Sequence, residues 1–108
     1  MGLTAQIELA LQDASLIRFF DEHRAAFKAI AERSYAFAHD NVEATGLTLR
    51  KDDVATSLVV ALQTNELLRD CLATKKLRQN HWYTRFSDLV MDRLWEELAD
   101  EYAHARTD

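Results

Sequence analysis

An all-α fold, a single-domain bundle of four or five mostly antiparallel helices, is predicted by three features of this sequence. There is no proline, and the only glycines in 108 residues are Gly2 and Gly46. Sheets and irregular folds draw their turns from those residue types, so long helices with short polar connections are expected instead. Apolar side chains recur at three- and four-residue spacing over most of the chain, the period of one helix face. Hydrophobic residues make up 48% and charged residues 29%, and at this length a chain buries about two-thirds of its unfolded surface, enough for a core without staples.

The elements follow in order. Leu3, Ile7, Ala10 and Leu11 form one stripe of a first helix. Asp13 and Ser15 offer N-cap oxygens, which predicts a break near residues 13–15. A long helix over 16–42 then carries Leu16, Phe20, His23, Phe27, Ile30, Ser34 and Phe37 on a heptad-like seam. Phe19, Ala26, Ala31 and Ala38 widen that seam to the width of a bundle helix. Gly46 supplies the stop. Asp52 and Asp53 favour a new helix start at the positive dipole end. The helix over 51–63 holds Val54, Leu58, Val59, Val60, Ala61 and Leu62, apolar nearly all round, which places it at the domain's centre. Thr64 or Asn65 caps a helix over 65–77 with Leu67, Leu68, Cys71 and Leu72 on its inner face and Lys75 and Lys76 at its end. Asn80 caps the last helix, 81–104, whose Trp82, Phe86, Leu89, Val90, Leu94, Leu98 and Tyr102 share one face.

The single cysteine, Cys71, rules out an internal disulfide and points to a small buried hydrophobe in a reducing, cytoplasmic setting. The longest apolar run, Leu58 to Leu62, is far below the ~20 residues a bilayer demands, so no membrane association is expected. No segment has the layout of a signal peptide. Net charge is −5, spread unevenly. Residues 69–85 carry five basic side chains and one acidic, whereas 86–108 carry two basic and seven acidic.

That basic stretch, RDCLATKKLRQNHWYTR, is a candidate surface for nucleic acid or an acidic partner. Arg69, Lys75, Lys76, Arg78 and Arg85 would meet phosphates, and His81 and Tyr83, with Trp82 between them, add rings able to stack on bases. The helix–connection–helix unit over 51–77 resembles a helix-turn-helix. The bland reading gives Lys75 and Lys76 to a helix end and Trp82 to the core. Polar seam residues His23 and Ser34 would fix helix register. Arg33 and His39, in RSYAFAH, resemble the Arg-then-His spacing of HEPN-type helical ribonucleases. That resemblance implies RNA cleavage, with Arg33 stabilising charge and His39 moving a proton. Six residues of separation set the two about 120° apart on a regular helix. Glu101 and His104 make an E-x-x-H pair, but a shared metal needs a second such pair and further carboxylates, so no metal or cofactor is expected. The leading expectation is a non-catalytic helical interaction module that associates with itself. Leu16, Ile17, Phe19 and Phe20, too many apolar groups for one core face, are its candidate interface.

Overall fold

The computed structural model describes residues 2–107, with side chains for 2–105. Five helices follow one another: α1 (Leu3–Glu22), α2 (Arg24–Ala44), α3 (Lys51–Leu62), α4 (Glu66–Thr74) and α5 (His81–Thr107). No strand occurs among the described residues. The fold is the all-α bundle that composition and periodicity predict.

The core is built by α2, α3 and α5, with α4 and the second half of α1 closing its ends. Val54, Leu58 and Leu62 of α3 are fully buried, as are Phe86, Val90, Met91 and Leu94 of α5. Each such side chain contributes about 1.5–3 kcal/mol by leaving water. The α3–α5 pair is antiparallel: Lys51 meets Asp92 at 3.0 Å, and Ser87, completely buried, donates to the Ala55 carbonyl at 2.8 Å. That hydroxyl satisfies itself on a neighbouring helix, as a buried polar group must. The α2–α3 pair is antiparallel too, whereas α2 and α5 run in the same direction, Phe27 meeting Phe86, Tyr35 meeting Trp95 and His39 meeting Tyr102.

Helix ends are set by local chemistry. At the start of α3 the Asp53 carboxylate accepts from the Arg50 backbone N–H at 2.8 Å, the N3 half of a capping box. Asn65 Oδ1 accepts from the Leu68 N–H at 2.8 Å and starts α4. Two helices end in the same backbone motif. After α2, Gly46 has φ +75 and donates to the Glu43 carbonyl, while Leu47 donates to that of Val42. After α4, Lys76 has φ +63 and donates to the Ala73 carbonyl, while Leu77 donates to that of Leu72. Both are Schellman turns, with glycine at the left-handed position in the first and lysine in the second.

The largest boundary difference from the sequence reading lies between α1 and α2, while α4 ends at Thr74 and not 77 and α5 runs on past 104. The break expected near 13–15 is absent, and α1 runs on to Glu22, with the interruption at His23. Asp13 and Ser15 do not cap anything. Asp13 takes a two-point contact from Arg85, one arm at 2.9 Å, and Ser15 accepts from the Lys75 ammonium. Both polar groups thus find distant partners and leave the helix intact. At His23 the backbone leaves helical geometry for one residue, φ −124 and ψ 30. The bend wraps Phe19, Phe20 and Phe27 around a shared aromatic cluster with Phe86, and Phe27 lies edge-on to Phe86 at 4.9 Å.

Phase drift produces a second difference. The buried stripe of α2 is Phe27, Ala31, Ser34, Tyr35 and Ala38. Phe37, expected on the seam, lies about 100° from the centre of that stripe at 3.6 residues per turn, and it is 63% exposed. Val60 of α3, expected at the domain's centre, is 65% exposed.

Candidate protein-interaction groove

Those two exposed side chains face the same depression. Ile30, Arg33, Ser34 and Phe37 of α2 and Thr56, Ser57, Val60 and Ala61 of α3 line an open groove of about 690 Å³. The antiparallel crossing of α2 and α3 creates it, because small residues on α3 leave the larger Phe37 and Val60 standing on either wall. Ser34 closes the floor. Its hydroxyl donates back to the Ile30 carbonyl at 3.0 Å and asks nothing of a partner. Arg33 is exposed on the rim and makes no hydrogen bond or ion pair among the described residues. The groove can offer apolar burial and one guanidinium. It has no nucleophile with an adjacent base.

A second uncovered apolar surface lies on α1. Of residues 2–11 all but the half-buried Ala5 are exposed. The predicted stripe is present, but Leu3 (71% exposed), Ile7 (51%) and Leu11 (64%) stand half or more exposed along it. The helix joins the bundle only from Asp13 onward.

The residues 16–20 do the opposite of what the sequence suggests. Leu16 and Phe20 are buried in this chain's own core, and Ile17 and Phe19 pack against it. The bend at His23 gives those rings a second face to fill, so they are not an exposed patch for a partner.

The side chains of the basic stretch differ in their surroundings. Arg85 is held by Asp13, and hydrogen bonding to that carboxylate raises its pKa further. Lys75 donates to Ser15, and Arg69 lies 3.6 Å from Glu66 on the same helix. Tyr83 and Trp82 are buried, so neither offers a ring face to a base. Arg69, Lys76, Arg78 and His81 remain exposed.

Arg33 and His39 are not brought together. Arg33 looks into the α2–α3 groove, whereas His39 turns toward α5, where its Nδ1 lies 3.2 Å from the Tyr102 hydroxyl and its Nε2 3.1 Å from Glu43. Beside it, Glu32, Tyr35, Leu98, Glu101, Tyr102 and Ala105 enclose about 130 Å³, well below the roughly 300–1,000 Å³ of ligand pockets. Burial raises the pKa of Tyr35 there, with Tyr102 adding to the effect. A charged cluster borders it. Lys28 reaches Glu97 at 2.6 Å and Glu101 at 2.8 Å, and Arg24 reaches Glu97 at 2.5 Å. These pairs strap α2 to α5.

His104 donates from Nδ1 to the Asp100 carbonyl of its own helix at 2.8 Å. Among the described residues no three potential ligands gather to hold a metal. Cys71 is half-buried, and burial raises its thiol pKa, away from nucleophilic reactivity. No helix among the described residues is long and apolar enough to cross a membrane. Sequence reasoning named the α1 stripe but not the groove. Its only signal was the pair Phe37 and Val60, each read as core. Comparison with protein-family models, with curated proteins and with solved structures finds no match for this chain.

Proposed function

We propose that this chain is a non-catalytic helical interaction module that associates with itself through the α2–α3 groove. The observation that carries the reading is the pairing of Phe37 and Val60, both about two-thirds exposed, on the walls of one apolar groove. Single exposed apolar residues need no explanation, but two large ones flanking a concave surface form a ready docking site. Covering them would contribute on the order of 1–2 kcal/mol each. The contacts of Lys75 and Arg85 with α1 and the burial of Tyr83 give the nucleic-acid reading of 69–85 less support.

Sedimentation velocity at micromolar concentration tests this. Wild type should sediment as more than one chain, and Phe37→Glu with Val60→Glu as one, with unchanged helical circular dichroism. A monomeric wild type, or a groove variant that still associates, would overturn it.

A further inference from the structure

Resting on that reading, we infer that the groove of one copy receives the amino-terminal half of α1 from a second copy. The two surfaces match in length. Leu3 to Leu11 is eight helical steps, about 12 Å, and the α2 wall from Ile30 to Phe37 is seven, about 10.5 Å. The helix-in-groove mode of recognition uses apolar anchors at this four-residue spacing.

The stripe cannot reach the groove of its own chain. Here α1 is one continuous helix, tied to the bundle by Asp13 on Arg85 and Ser15 on Lys75. Folding its first ten residues back would mean unwinding that helix. Charge favours the second copy as well. Glu8, beside Ile7, and Arg33, on the groove rim, both lack a hydrogen bond or ion pair among the described residues. Docking brings these opposite charges together. Pairing α1 with α1 would instead set two Glu8 side chains near each other, a like-charge contact. The stripe is also too short for a coiled coil, which takes at least three or four heptads.

Size decides the symmetry. One docking event covers Leu3, Ile7, Leu11, Phe37 and Val60, on the order of 100 Å² each, which alone is the scale of a lattice contact. A two-fold pair makes the contact twice and reaches on the order of 1,000 Å², the lower edge of specific interfaces. The dimer is therefore reciprocal, each copy giving its α1 and taking its partner's.

The test uses the whole chain in two experiments. Ile7→Glu with Leu11→Glu should weaken self-association at least about 100-fold and leave helical circular dichroism unchanged. Separately, a chain with Ile7→Cys is mixed with one bearing Val60→Cys, both also Cys71→Ser, under mild oxidation. The mixed 7–60 product should dominate over either self-linked product. A 7–7 product in excess, or a stripe variant that associates like wild type, overturns the inference. If Phe37→Glu with Val60→Glu still dissociates the chain in that case, the groove reading stands without it. A monomeric wild type overturns both.

Discussion

Replacing Lys76 by glycine should stabilise the protein, although it removes a cation from the stretch that looks most like a binding surface. Lys76 sits at φ +63 in the Schellman turn after α4. The turn is fixed on both sides: Lys76 and Leu77 donate to the Ala73 and Leu72 carbonyls at 3.0 and 2.7 Å, and Leu77 and Leu72 are both buried. An L-residue in this left-handed region costs roughly 1–2 kcal/mol, whereas glycine adopts it freely and loses roughly 0.5–1 kcal/mol more entropy on folding. The difference leaves a gain of about 0.5–1 kcal/mol for Lys76→Gly. In a domain of this size that corresponds to a rise in Tm of about 2–6 °C. Urea denaturation followed by circular dichroism should show a higher midpoint at unchanged slope. Lys76→Ala serves as the control, because it removes the ammonium and keeps the backbone strain; it should stay near wild type. A glycine variant no more stable than wild type would refute the reasoning. So would an alanine variant that gains as much, since the charge and not the backbone would then be responsible.

Gly46→Ala is the mirror experiment. At φ +75 with no atom within 4 Å of the added Cβ, its loss of about 1 kcal/mol in the same denaturation assay should be purely backbone strain. Phe86→Ala, in the aromatic cluster with Phe19 and Phe27, should cost about 3–5 kcal/mol, a large share of the 5–15 kcal/mol typical of a domain, and lower Tm accordingly. Glu97 is held below its ordinary pKa of 4.5 by the Lys28 and Arg24 hydrogen bonds. A carboxylate lowered on folding stabilises the protein above that ordinary value and stops doing so as pH falls through the folded one. Glu97→Gln should therefore flatten the acid side of the stability–pH curve below about pH 5, read from urea midpoints. Asp13→Ala, by freeing α1 from Arg85, should speed amide exchange in residues 3–12 more than in α3 or α5.

The fold was legible because the signals for it are local. Acids at the start of α3, Asn65 before α4 and the apolar period of α5 each act within a turn or two of the residues they organise, and the structure places those helices at Lys51–Leu62, Glu66–Thr74 and His81–Thr107. The α1–α2 boundary was not legible for the converse reason. Asp13 and Ser15 look like caps to any local reading, and their true partners lie 72 and 60 residues away. His23 carries no glycine, proline or capping oxygen to mark a hinge. The bend there follows from where Phe19, Phe20 and Phe27 must go to meet Phe86.

The candidate site shows the same division between pattern and placement. Spacing identifies the Leu3, Ile7 and Leu11 stripe, because spacing is a property of one helix. Whether a stripe is covered depends on the path of the helix through the molecule, and α1 leaves the bundle before Asp13. Phe37 fits an alternating four-and-three repeat at 3.5 residues per turn, while a helix turns at 3.6. Over the ten residues from Phe27 that small mismatch, together with a stripe centred on Ala31 and Ser34, carries the ring out of the core and onto the groove wall. The basic stretch, by contrast, is vivid in sequence, and two of its five cations, Lys75 and Arg85, find their partners on α1. Arg85 and Lys75 reach to α1 across 72 and 60 residues of sequence, and so help fix where α1 enters the bundle. Two of the cations that composition offers to a nucleic acid thus hold α1 to the bundle just past its apolar stripe.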